Sequence, residues 1–319
     1  MDPLVLSTGP PANQREDRCA DTGPVGEARD SSALRNRPGA LASRFATDGY
    51  LLLRKILDPF GPAAAAAHFA SVLGSAGWVG HDLAPSPGFA SRLARPPVAA
   101  RQLYRALYSG PSVHSLGHEA ALVDVLCDLL GPGPLLVHPR PGCRTVFPLG
   151  DDGSGDDPTP AHQDHVGMQG TPNACTAWIP LAACGREAGP LAVAIGSHLG
   201  GARGSRPRPG ARVAPCDEDG LDGRFVTADF EPGDVLVFHS LTVHKALPNR
   251  SGRVRISVDR RYQRAVDPVC EASLGADLDL TWEDVYRDWG QEQREALGYY
   301  WHSLDLDVVA HDPSRLDGN

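Results

Sequence analysis

The stretch that most restricts how this chain can fold is Pro160-Ala161-His162-Gln163-Asp164-His165. Read as a strand, it alternates faces, so His162 and Asp164 point one way and Gln163 the other. An imidazole and a carboxylate on one strand face are two members of a facial triad. Two imidazoles and one carboxylate hold Fe(II) on one side and leave the opposite coordination positions open. The third member is expected on a distant strand. The best candidate is His244, 82 residues on, at the end of Gly233-Asp234-Val235-Leu236-Val237-Phe238-His239-Ser240-Leu241-Thr242-Val243-His244. Rigid strands suit such a site, because metal chemistry tolerates little positional error.

A histidine and an aspartate two apart also arise by chance. The segment follows the acidic, Gly-rich Asp151-Asp152-Gly153-Ser154-Gly155-Asp156-Asp157, so a solvated loop is the plain alternative. A third element favours the metal. Arg255 lies 11 residues after His244 in the alternating run Arg255-Ile256-Ser257-Val258-Asp259, where it shares a face with Ser257. Arginine suits bidentate carboxylate binding. A metal triad with a nearby arginine is what a 2-oxoglutarate-dependent oxygenase requires.

Further pieces follow in order: Phe45-Ala46-Thr47-Asp48-Gly49-Tyr50, Thr176-Ala177-Trp178-Ile179-Pro180-Leu181, Gly189-Pro190-Leu191, Ile195-Gly196-Ser197-His198, Pro232-Gly233-Asp234 and Asn249-Arg250-Ser251. Together with the histidine motif and Arg255, they make residues 45–263 resemble the phytanoyl-CoA dioxygenase family of Fe(II)/2-oxoglutarate oxygenases. The resemblance implies a mainly β fold with flanking helices around a double-stranded β-helix, a jelly-roll, cupin-like core. It implies His162, Asp164 and His244 as metal ligands, with His239 the runner-up to His244. It also implies 2-oxoglutarate as cosubstrate, its distal carboxylate on Arg255 with Ser257 as helper, and Trp178 nearby. Plain core packing accounts for Trp178 equally well, and Arg253 is the alternative anchor.

The reaction so implied consumes O2 and releases succinate and CO2 as it hydroxylates an unactivated C–H bond. Related halogenases need the carboxylate position empty; Asp164 fills it, which favours hydroxylation or desaturation. No feature marks a CoA site, so a small molecule, a secondary metabolite, is the expected substrate, with an acyl-CoA as the alternative. Two other classes remain: a zinc hydrolase with the same ligands, and a non-catalytic jelly roll that binds a small ligand. The first lacks an H-E-x-x-H helix and leaves Arg255 without a purpose.

The 319 residues fit one domain over 41–319 behind a disordered, Pro- and Gly-rich leader at 1–40, with the jelly-roll core at about 135–263. A net charge of −9 leaves no basic footprint for nucleic acid. The seven cysteines form no C-x-x-C pair and read as reduced thiols of a cytoplasmic protein. No apolar run approaches the ~20 residues of a membrane span, and Arg15, Asp17 and Arg18 replace the apolar core of a signal peptide.

Strands are expected at 50–53, from 135, and at 176–181, 191–195, 225–230 and 235–238; helices are expected at 59–77, 112–130 and 280–297. Arg140 and Arg144 fall where either can face the site, although an ion-pair or surface role is the ordinary one. Loops are expected at 81–97 and 200–223, the second where a lid would sit. The aromatics of 280–301 are expected to pack a helix onto the core.

Overall fold

A computed structural model describes residues 23–79, 100–150, 156–204 and 213–312. In chain order, the N-terminal part holds β1 (Gly26–Glu27), α1 (Pro38–Asp48), β2 (Tyr50–Leu53), α2 (Phe60–Ser75), α3 (Ala100–Tyr108), α4 (Pro111–Ser115) and α5 (Ala120–Leu130). The central part holds β3 (Leu135–Val137), β4 (Gly142–Val146), α6 (Asp164–Met168), β5 (Ala174–Pro180), β6 (Leu191–Ala194) and β7 (Phe225–Thr227). It continues through β8 (Val235–His239), β9 (His244–Ala246) and β10 (Arg255–Arg264). The chain closes with β11 (Val269–Cys270), α7 (Trp282–Tyr286), α8 (Gln291–Leu297) and β12 (Val308–Val309).

Two sheets make the core. The larger runs β2-β8-β5-β10-β3, with β4 also paired to β10; the smaller runs β1-β7-β6-β9. They face each other as an open jelly roll rather than a closed barrel, as the sequence led us to expect.

The large sheet is covered on both faces, and its side chains sort by parity. Leu51 and Leu53 of β2, Cys175, Ala177 and Ile179 of β5, and Val235 and Val237 of β8 pack outward with helical Phe69, Leu73 and Leu126. The alternate residues Tyr50, Leu52, Trp178, Leu236 and Phe238 pack inward with Val193, Val226 and Ala246 of the small sheet. Burial on both faces explains why these strands read as unbroken apolar runs. On β10 the same alternation sends Arg255, Ser257, Asp259 and Arg261 to the face opposite Ile256 and Val258.

Gly49 joins α1 to β2 at φ +77°, a left-handed conformation that glycine adopts without penalty. A Cβ there would stand 2.4 Å from Nδ1 of His198. His198 in turn meets the Ala46 carbonyl at 3.1 Å, which ties the helix end to the 197–200 turn. Its role is structural.

Several boundaries differ from the sequence reading. Residues 23–40, assigned to a disordered leader, carry β1, which pairs in parallel with β7 (Gly26 opposite Val226), and the start of α1. Residues 1–22 lie outside the described residues. The expected helix at 112–130 is broken: α4 and a 3-10 turn precede α5, and Glu119 between them is extended at ψ 119°. The helix at 280–297 divides at Gly290; Thr281 and Asp284 cap α7 by exchanging hydrogen bonds. Helix α3 had no counterpart among the expected elements. The expected loop at 81–97 lies outside the described residues, as do 205–212 of the second loop.

Candidate metal centre

His162 and Asp164 do not share a strand. His162 is an isolated bridge residue, paired antiparallel with both His244 and Pro215. The chain then turns, and Asp164 opens α6. Its carboxylate sits in that helix's first turn, where exposed N–H groups favour negative charge. Extended backbone at Gln163 (φ −119°, ψ 131°) still sends the flanking side chains the same way. Gln163 faces elsewhere, its amide donating to the carbonyls of Leu241 (2.6 Å) and Gly201 (2.9 Å).

One ligand atom each from His162, Asp164 and His244 lies within 4.8 Å of the others, and all three residues are buried. The imidazole rings are 4.1 Å apart, and His162 Nε2 is 4.0 Å from Asp164 Oδ1. His239, the runner-up, is outside this cluster. Its Nδ1 accepts from the Leu241 N–H, and its ring packs against His198 and Phe45.

The ligand atoms are also set chemically. His162 Nδ1 lies 2.9 Å from the Pro160 carbonyl, and His244 Nδ1 lies 3.0 Å from the Thr242 carbonyl. A carbonyl can only accept, so each Nδ1 carries the hydrogen and each Nε2 keeps its lone pair for the centre. Burial holds the His162 pKa down at about 3, with the neighbouring His244 adding to the effect, so the ring is a neutral ligand. Burial by itself would raise the Asp164 pKa. The Arg261 guanidinium, the two imidazoles and the Thr176 hydroxyl overcome it and hold the carboxyl ionised, well below the usual range. Thr176 Oγ1 donates to Oδ2 at 2.6 Å, which leaves Oδ1 for a metal.

The donor set fits a first-row divalent ion: two neutral imidazoles and one carboxylate, each oriented by a second group. Sequence reasoning missed Thr176 and Arg261 as partners of Asp164. Their signal was parity, since both lie on paired strands and face one another in register.

Arg255 is buried, and its Nε and Nη1 have no hydrogen-bond partner among the described residues. Burial lowers its pKa from the usual arginine value, only partly opposed by Cys184 and Asp259, and no ion pair holds it among the described residues. A guanidinium left this way is costly until an anion meets it. The Arg255 guanidinium lies 5.8 Å from the Trp178 ring, and Trp178 Nε1 donates to Ser257 Oγ at 3.0 Å. The Ser257 hydroxyl hydrogen is thereby left to donate elsewhere. Trp178 also packs edge-on against Phe230, so it serves the core and borders the arginine at once. Arg253, the alternative anchor, is exposed.

A cavity of about 620 Å³ opens beside the triad, lined in part by His162, Asp164, Tyr104, Met168, Arg261 and Leu278. Arg140 and Arg144 both reach its wall, and each keeps an acidic partner: Asp277 at 3.3 Å and Asp259 at 2.9 Å. Val213 and Ala214, from the described part of the 200–223 loop, also border it. The C-terminal aromatics Tyr286, Trp289 and Trp301 instead form their own core with Tyr108 and Leu136.

Residues 118–257 match the phytanoyl-CoA dioxygenase (PhyH) family and contain all three clustered residues and Arg255. The match covers less than half of the chain and is a resemblance to that family over this stretch. Over 117 residues it is 38% identical to the 1-deoxypentalenic acid 11-beta-hydroxylase of Streptomyces exfoliatus, covering 34% of this chain and 41% of the relative. The enzyme of the same name from Streptomyces arenae is 39% identical over 117 residues, with the same coverage. The chain thus spans about 41% of the length of the curated relatives it matches. Among solved structures, the epimerase SnoN, in complex with Fe3+, alpha ketoglutarate and nogalamycin RO, aligns with a TM-score of 0.51 at 23% identity. That alignment covers 73% of this chain and 86% of SnoN, a likeness of fold. The clustered side chains all fall within the stretch that matches the family model.

Proposed function

We propose that this protein is an Fe(II)/2-oxoglutarate-dependent dioxygenase that hydroxylates an unactivated C–H bond of a small molecule. The observation that carries the proposal is the buried cluster of His162, Asp164 and His244, with both Nε2 atoms and one carboxylate oxygen turned inward. Fe(II), when bound with 2-oxoglutarate and O2, supplies the oxidising chemistry and yields succinate and CO2.

The chain's own residues hold and orient. His162, Asp164 and His244 would hold the metal. Arg255 would take the distal carboxylate of 2-oxoglutarate in a charge-assisted pair, with the Ser257 hydroxyl as second donor. Asp164 occupies the position that a halide would need, which supports hydroxylation over halogenation. The cavity falls in the usual range for small-molecule sites, and the pentalenic-acid relatives support a secondary metabolite as substrate. Among the described residues no helix is long and apolar enough to cross a membrane. The described free cysteines agree with a cytoplasmic enzyme.

The test is anaerobic reconstitution with Fe(II) and 2-oxoglutarate, followed by O2 and a panel of terpenoid and polyketide acids. Substrate-dependent succinate release is expected from the native protein and not from Asp164→Ala. Turnover that follows zinc and ignores 2-oxoglutarate would overturn the reading.

A further inference from the structure

Four arginines line the cavity beside the metal centre: Arg101, Arg140, Arg144 and Arg261. Three have acidic partners of their own, Arg101 with Asp279, Arg140 with Asp277 and Arg144 with Asp259. Arg261 differs. Its acidic contact is Asp164, at a long 3.4 Å, and Asp164 is a member of the triad. Its Nε is buried and has no hydrogen-bond partner among the described residues. His138 on the same wall cannot supply an anion, and its Nε2 is engaged with Gln263 at 2.9 Å.

Occupation of the centre sharpens this mismatch. A divalent ion (+2), Asp164 (−1) and 2-oxoglutarate (−2) leave one negative charge, which Arg255 cancels. Arg144 and Asp259 cancel each other. Arg261 then stands beside the centre as an uncompensated cation in a largely buried wall, an arrangement that favours a further anion. The planar guanidinium, with Nε and a terminal nitrogen in one plane, matches a carboxylate edge.

We propose that Arg261 is a specificity-determining residue that receives a carboxylate of the substrate, so that the substrate is a small organic acid. The inference rests on the metal site proposed above. It places the acid group next to the centre and directs the rest of the molecule toward Tyr104, Met168 and Leu278.

Binding without turnover tests the inference. Protein loaded with Mn(II) and 2-oxoglutarate, which holds the centre without turnover, is titrated calorimetrically with cyclohexanecarboxylate and with cyclohexanecarboxamide. The native protein is expected to prefer the acid by about tenfold or more. Arg261→Gln should abolish that preference at saturating Mn(II) and 2-oxoglutarate; because Arg261 also contacts Asp164, its Mn(II) affinity is measured separately and saturation is confirmed before the acid and amide are compared. Arg261→Lys, which keeps the charge and loses the fork, should retain part of it and guards against a misfolded glutamine variant. No Mn(II) uptake by native protein would sink the metal site and this inference together. Normal uptake with equal binding of acid and amide would overturn this inference alone. So would an Arg261→Gln variant that keeps the preference, or that weakens 2-oxoglutarate binding instead.

Discussion

His162 and His244, 82 residues apart, exchange two backbone hydrogen bonds of 3.0 Å each, His162 N–H to His244 C=O and the reverse. This reciprocal pair fixes the distance between the two imidazoles before any metal arrives. Substituting either ring leaves those backbone bonds intact, so the fold should survive. His162→Ala and His244→Ala are expected to lose Fe(II) binding and turnover, read by metal analysis, with circular dichroism unchanged. His239→Ala should retain both; equal loss from all three variants would mean the ligand set is wrong.

Thr176 orients Asp164 by donating to Oδ2. Thr176→Val keeps the shape and removes the hydroxyl. Metal affinity should fall by roughly 10–100-fold, the usual effect of losing such a partner, while Thr176→Ser should restore most of it. Competition with a coloured chelator measures the difference.

Arg255 carries the anion-binding side of the proposal. Arg255→Ala should raise the 2-oxoglutarate requirement by roughly 30-fold or more, since losing one member of a buried charge pair costs about 2–5 kcal/mol. Metal affinity without cosubstrate should barely change. An unaltered 2-oxoglutarate titration would place the anchor elsewhere. Ser257→Ala should give a smaller shift in the same direction.

Acid sensitivity should come from buried histidines that the fold keeps neutral. Burial, reinforced by Arg260 for His114 and by Arg261 for His138, brings both pKa values down to about 3 from the usual 6.5. The unfolded chain takes up protons at these sites below about pH 6.5 and the folded chain does not. Stability is therefore unaffected above that pH and falls as pH drops from 6.5 toward 3, by up to about 1.4 kcal/mol per pH unit per group. Asp164, held ionised in the fold, adds its own loss of stability only below about pH 4, where the unfolded carboxyl takes up a proton and the folded one does not. Thermal melts from pH 8 to 4 should show a fall starting near 6, shallower in His138→Gln. A flat profile would rule out neutral burial.

Gly49 offers a check on the scaffold rather than the site. Gly49→Ala must hold φ +77° and push its Cβ against His198 and Thr242. A loss of roughly 1–3 kcal/mol is expected, measurable in denaturant, with metal affinity preserved in the folded fraction.

Local pattern by itself determined the apolar strands 50–53, 176–181 and 235–238, because residues buried on both faces leave an unbroken run. Ligand type and parity also singled out His162, Asp164, Arg255 and Ser257, while the choice of His244 over His239 came from the resemblance to the dioxygenase family. Tertiary structure decided the rest. The turn that makes Asp164 a helix start rather than a strand residue depends on the His162–His244 bridge, a contact across 82 positions. The Thr176 and Arg261 contacts with Asp164 arise because β5 and β10 pair in one register, Arg261 opposite Thr176. Residues 23–40 lack a periodic signal because part of their order comes from the β7 edge they pair with. Periodicity reports which face of an element is buried; which distant element lies against that face is decided by pairing and packing of the whole chain.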